Sequence, residues 1–173
     1  MSNLRVFNIK TDKLNFDFSF NPDETFNCHE QLNYNPSLGM DDIRRVALWK
    51  LNRVINIPED LLKNLSKLAT NKSLHFSDET SRSIISALIE CDGVGFPMAS
   101  SILKFIRPDI YPIIDVRAYR ALNGKKISYG QYSLNLYLDY IDEITKISTS
   151  LNIPLREVDE QLYCFDKTFN EKI

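Results

Sequence analysis

The sequence is short of the residues that build several kinds of site. It has three cysteines, Cys28, Cys91 and Cys164, far apart and odd in number. They form no CxxC pair, which argues against a zinc site or an iron–sulfur cluster and leaves reduced thiols as the simplest state. No apolar run is long enough to span a bilayer, and Met1 to Lys10 lacks the apolar stretch of a signal peptide. The expectation is an intracellular, cytoplasmic protein with no membrane partner. Positive charge is also not in excess. The net charge is −2, which weighs against a nucleic-acid partner, because phosphate binding is driven by Lys and Arg. Glycine is scarce too, with five in all, and two of these stand in one tripeptide, Gly93-Val94-Gly95.

What is present suits one domain. The chain has 173 residues, 43% hydrophobic and 25% charged, enough to bury roughly 70% of its extended-chain surface without a metal or disulfide scaffold. The charge is unevenly spread. Between Phe96 and Lys126, six cations (Lys104, Arg107, Arg117, Arg120, Lys125 and Lys126) face two carboxylates, Asp109 and Asp115; this net of +4 leaves −6 for the rest. Such a concentration reads either as a face for an anionic polymer or as a chance cluster of solvated charge.

Residues 1–38 are rich in Asn and Phe, and Phe16, Phe18 and Phe20 alternate with polar residues at strand period. They read as a short strand or extended arm packed on a single helical domain of residues 39–173. From Asp41 onward the periodicity is helical. Ile43, Val46, Ala47, Leu51 and Val54 form one stripe; Leu61, Leu62, Leu65 and Leu68 follow Pro58. A third helix begins near Ser77-Asp78-Glu79, carries Ile84, Ile85, Leu88 and Ile89, and stops at Asp92-Gly93. A fourth runs from Pro97 to about Ile106. The two prolines of Arg107-Pro108-Asp109-Ile110-Tyr111-Pro112 make a stiff connector. A short helix follows Asp115, a long amphipathic one spans Tyr132 to Leu151, and Pro154 starts a last one with Leu155, Val158, Leu162, Phe165 and Phe169 on its face. The fold class is mainly α.

Gly93-Val94-Gly95 lies between two amphipathic helices of similar length. Glycines there permit positive φ and close backbone approach, and a helix N-terminus near Pro97 presents N–H groups suited to a phosphate oxygen. The alternative is a helical hairpin whose glycines only make the turn. The surrounding run, Leu88-Ile89-Glu90-Cys91-Asp92-Gly93-Val94-Gly95-Phe96-Pro97-Met98-Ala99, resembles the helix-hairpin-helix of the endonuclease III-like superfamily of base-excision DNA glycosylases. In that pattern a small residue, here Ala99, follows the second glycine by four positions. Twenty residues after Gly95, Tyr111-Pro112-Ile113-Ile114-Asp115-Val116-Arg117 resembles the apolar run ending in the family's catalytic aspartate. The resemblance covers residues 77–124 and, more loosely, the flanking helices, including Arg156-Glu157-Val158-Asp159.

The resemblance implies a helix-hairpin-helix glycosylase fold acting as a monomer on double-stranded DNA. It implies hydrolysis of the N-glycosidic bond of a damaged or modified base, with Asp115 as the carboxylate that stabilises an oxocarbenium-like sugar and orients water. Gly93, Val94, Gly95, Met98, Ala99, Lys104 and Arg117 would hold the DNA backbone. An extruded base would stack on aromatic groups, for which Trp49 with its neighbour Lys50, and Tyr111 and Tyr119, are the candidates. Apart from the family, Asp115 also reads as a plain N-cap, and both roles can hold together. Arg117 and Arg120 read equally as phosphate partners or as structural ion pairs. Bifunctional members carry a lysine two residues after the second hairpin glycine; Pro97 stands there, so the implied enzyme is monofunctional. No cofactor is implied, apart from room for a monovalent cation at the hairpin.

The chain departs from the family in its N-terminal arm, in having fewer helices before the hairpin, and in lacking the four-cysteine cluster of many members. The base or lesion therefore stays open. Two other classes of function remain: a nucleic-acid-binding module without catalysis, and a protein-interaction domain, which the negative total charge suits.

Overall fold

The computed structural model describes Arg5, Asn8, Thr11, Phe16, residues 21–33, residues 35–37 and residues 39–170. Among these residues the structure is mainly helical and contains no strand. The strand expected at Phe16, Phe18 and Phe20 falls largely outside them; Phe16 itself has no regular structure and is exposed. The chain divides into two compact units, Met1–Val54 and Ile55–Ile173.

The first unit contains α1 (Pro22–Leu32) and α2 (Met40–Lys50). Helix α1 lies where sequence periodicity suggested an extended arm. Pro22 at its start with Asp23 and Glu24 in the first turn is a helix-opening pattern that the Asn- and Phe-rich composition concealed. The two helices pair through polar groups. Trp49 Nε1 donates to Thr25 Oγ1 at 2.8 Å, Arg45 meets Glu24 at 2.8 Å, and Asn21 donates to Asn52 at 2.9 Å. Neither helix has a fully buried residue, and Ile43, Val46 and Leu51 of the expected stripe stay exposed. Helix α2 thus groups with α1, and the division falls at Val54/Ile55 where sequence reading placed it at 38/39.

The second unit holds α3 (Glu59–Thr70), α4 (Glu79–Ile89), α5 (Phe96–Ile106), α6 (Val116–Asn123), a 3-10 turn (Tyr129–Gln131), α7 (Leu134–Leu151) and α8 (Leu155–Phe169). One core joins Leu61, Leu65 and Leu68 of α3 to Ile84, Ile85 and Leu88 of α4, Leu103 of α5, and Tyr137, Ile141 and Ile144 of α7. Each such side chain stabilises the fold by roughly 1.5–3 kcal/mol. Helix α8 packs on α6 and α7. Its inward face differs from the expected one: Val158, Asp159 and Asp166 are buried, while Phe165 and Phe169 are exposed. Buried carboxylates are tolerated there because each meets cations from α5 or α6.

Candidate active site

Helix α4 ends at Ile89, and the turn to α5 closes on its own backbone. Cys91 N–H donates to Leu88 O at 3.1 Å and Val94 N–H to Cys91 O at 3.0 Å. Gly93 adopts φ +76°, the left-handed region that a side chain enters only at a cost. Val94 and Ala99 are 4% and 1% exposed, so their side chains anchor the hairpin to the core. Helix α5 has no side-chain cap, and Pro97 has no N–H. Its first turn therefore leaves the Phe96 and Met98 N–H groups without an intrahelical acceptor.

Connector Pro112–Ile114 is held by side chains from three helices. Tyr137 Oη donates to Pro112 O at 2.9 Å and Tyr140 Oη to Ile113 O at 3.1 Å. Ile113 N–H donates to Asp159 Oδ2 at 2.9 Å, and Ile114 N–H to Ser100 Oγ at 3.2 Å. Ser100 is one turn into α5, about 6 Å along the axis from Phe96. The residue before Asp115 is thus tied directly to the hairpin's second helix. Asp115 is partly buried and caps α6, its Oδ1 accepting from Ala118 N–H at 2.7 Å. A carboxylate accepts at both oxygens, so the cap leaves Oδ2 for another partner.

An aromatic group packs on the first turn of α5. Tyr132 stacks on Phe96 with ring centroids 6.0 Å apart and planes 12° from parallel. Burial, then the Asp115 charge, then Tyr119 push the Tyr132 phenol above its ordinary pKa, so it stays protonated at neutral pH. Tyr119 lines an open cavity of about 410 Å³ with Asn123, Ser133, Tyr140 and the carboxylates Asp139 and Glu143, while Asp115 is not in its lining; its size is in the range of small-molecule sites. On the outer side, the exposed ring of Tyr129 lies against the hairpin: a Cβ built on Gly95 would stand 3.5 Å from it.

Several residues read from sequence as ligand contacts are committed elsewhere. Lys104 is 4% exposed, and its ammonium donates to Asp159 at 2.8 and 2.9 Å and to Glu160 at 2.8 Å. It points into the fold and does not reach a DNA backbone. Arg107 pairs with Asp109 at 2.7 Å and donates to the carbonyls of Leu68 and Asn71. Arg117 and Arg120 converge on the fully buried Asp166 at 3.1 and 2.7 Å, and Asp166 is held far below the usual carboxylate range, first by Arg120. The structural-pair reading holds for both arginines. Tyr111 is fully buried and donates to Ser81 Oγ at 2.8 Å, so it offers no face to a base. Val94 and Ala99 have internally bonded N–H groups, with Ala99 N–H on Gly95 O at 2.9 Å, and support the hairpin without facing outward.

Of the six cations in the positive segment, Lys125 and Lys126 are the exposed ones. They precede Tyr129 by four and three residues. Trp49 and Lys50 belong to the first unit, where the indole N–H bonds Thr25 and Lys50 is exposed. Sequence reading missed Tyr129, Tyr132 and Asp159 as parts of the site. The run Lys125-Lys126-Ile127-Ser128-Tyr129-Gly130-Gln131-Tyr132, a basic pair with interleaved aromatics, carried the available signal.

No family model, curated protein or solved structure matches this chain. Among the described residues no group of three or more His, Cys, Asp or Glu is placed to hold a metal ion, and no helix is long and apolar enough to cross a membrane.

Proposed function

We propose that the chain is a monofunctional DNA N-glycosylase whose catalytic carboxylate is Asp115. The observation that carries this reading is the Ile114–Ser100 bond, which couples the helix leading out of the hairpin to the residue before Asp115. A phosphate held at the uncapped N-terminus of α5 would keep one strand in fixed register with the carboxylate. The exposed Lys125 and Lys126 would add the charge that the buried cations do not. The extruded base would enter the cavity beside Tyr119.

In the reaction the C1′–N bond breaks and its electron pair leaves with the base nitrogen. The negative charge of Asp115 stabilises the oxocarbenium-like sugar. Water bonds to C1′ and gives up a proton to the Asp115 carboxylate, leaving an abasic site. Pro97 has no amine, so no Schiff base forms and the strand stays intact.

A non-catalytic DNA-binding module is the second reading, favoured by the bond that Asp115 Oδ1 already makes as a helix cap. Duplexes bearing uracil, hypoxanthine, N-alkylated purines, oxidised guanine or hydroxymethylated cytosine separate the two. The enzyme yields alkali-labile sites on at least one of them; the module binds in a salt-dependent way and releases no base from any.

A further inference from the structure

Tyr111, Tyr137 and Tyr140 bury their rings and place their hydroxyls on protein acceptors. Tyr129 does the opposite. It is 83% exposed, although the turn that carries it is pinned. Ile127, two residues earlier, is buried. Ser128 donates to Gln131 Oε1 through its N–H at 2.8 Å and its hydroxyl at 2.9 Å, and Gln131 N–H donates back to Ser128 O at 3.0 Å. The far end of the ring, Cε2 and Oη, lies 3.5 Å from where a Gly95 Cβ would stand. The tip of the ring thus rests over the hairpin while most of its surface stays open to solvent. A lone exposed aromatic is ordinary, and Phe105 on α5 is 82% exposed. The charges around the two rings differ. Lys104 and Arg107, which flank Phe105, are held by Asp159 and Asp109. Lys125 and Lys126, four and three residues before Tyr129, are exposed, and the chain has no carboxylate between Asp115 and Asp139.

We infer that Tyr129, with Lys125 and Lys126, is a site for an unpaired nucleotide of a DNA strand: the ring stacks on the base and the two ammonium groups meet phosphates beside it. The inference rests on the DNA-binding part of the reading above and on none of its chemistry. An open aromatic surface beside uncompensated cations suits a ligand that is itself flat, aromatic and anionic. The Cα atoms of Lys126 and Tyr129 are at most about 11 Å apart, so ring and ammonium serve neighbouring nucleotides of one strand. A paired base has both faces covered by its neighbours in the stack, and only an unpaired one can turn a face to the ring. Stacking reads no base edge, so the preference is for unpaired over paired DNA and not for a sequence. The pinned turn keeps the ordering cost of binding low.

The test measures the affinity of wild type, Tyr129→Phe and Tyr129→Ala for three oligonucleotides at one low salt concentration: a single strand, a duplex with a one-nucleotide bulge, and the fully paired duplex. Tyr129→Ala is expected to weaken binding to the single strand and the bulged duplex by about 5- to 100-fold. Tyr129→Phe keeps the ring and should stay within about twofold on all three, and the paired duplex should bind all three proteins within about twofold. The melting temperature should not change, because the ring is exposed. Irradiating the complex with a bulge that carries 5-iododeoxyuridine should join that base to Tyr129, as read by mass spectrometry of the peptides. Equal affinity of wild type and Tyr129→Ala for bulged DNA overturns the inference and leaves the DNA-binding reading intact. So does a loss of the same size on bulged and paired duplex, or a crosslink that forms only elsewhere. Absence of binding by the wild type to any of the three overturns the DNA-binding reading and the Tyr129 site together.

Discussion

Asp115 has two jobs in the reading above, and they respond differently to two substitutions. As the cap of α6, its Oδ1 takes the Ala118 N–H at 2.7 Å. Removing a cap side chain costs about 1 kcal/mol, within a range of roughly 0.5–2, whereas asparagine is as good a cap as aspartate. Asp115→Ala should therefore lower the melting temperature by about 2–4 °C, the shift expected of about 1 kcal/mol in a chain of this size. Asp115→Asn should leave it nearly unchanged. Catalysis reverses the ranking. Asparagine keeps the shape and loses the charge that would stabilise the cationic sugar, so both variants should release base at least about a hundredfold more slowly. Thermal unfolding by circular dichroism and single-turnover base release on the same preparations measure the two effects. An Asp115→Asn protein that releases base at the wild-type rate refutes the catalytic role. One that is destabilised as much as Asp115→Ala refutes the cap argument.

Other consequences follow from the buried charges and the turn. Lys104→Met leaves Asp159 buried beside an apolar stem, and urea unfolding should show a loss of about 3–5 kcal/mol; a neutral result would mean that Asp159, whose pKa burial already raises, takes up a proton when its cation is lost. Lys125→Glu and Lys126→Glu should each weaken duplex binding and reduce the slope of log affinity against log salt by about one, with no change in melting temperature. Gly93→Ala forces a side chain into φ +76° and should cost about 1–2 kcal/mol in the same unfolding assay. Asp166 titrates below an ordinary carboxylate because Arg120, Asn170 and Arg117 hold its charged form. A folded pKa below the unfolded one stabilises the fold above the unfolded value and loses that support as pH falls toward the folded value. Acid unfolding of Asp166→Asn should therefore show its largest deficit near neutrality and a shrinking one below about pH 4.

Much of the second unit was legible because helical periodicity reports burial directly. Leu61, Leu65 and Leu68 of α3, Ile84 and Ile85 of α4 and Ile141 and Ile144 of α7 are buried in the core, whereas Leu62 of the expected stripe is exposed. The N-cap at Asp115 was legible for the same local reason. Helix α1 was not, since its residues are mostly polar and it pairs with α2 through hydrogen bonds and an ion pair that leave no apolar stripe to read.

Charge was the least legible property. The net of +4 between Phe96 and Lys126 is real, yet Lys104, Arg107, Arg117 and Arg120 are all held in ion pairs, three of them with α8 residues some fifty positions away. A sequence lists charges without their partners, and a partner that distant is brought near only by folding. Local order therefore decided by itself that the chain would be mainly helical, that Gly93 would turn it and that Asp115 would open a helix. Tertiary structure alone decided which cations reach solvent, that Asp159 and Ser100 hold the backbone leading to Asp115, and that the Tyr132 hydroxyl has no partner among the described residues. Those outcomes depend on contacts between distant segments, whose energies no local pattern records.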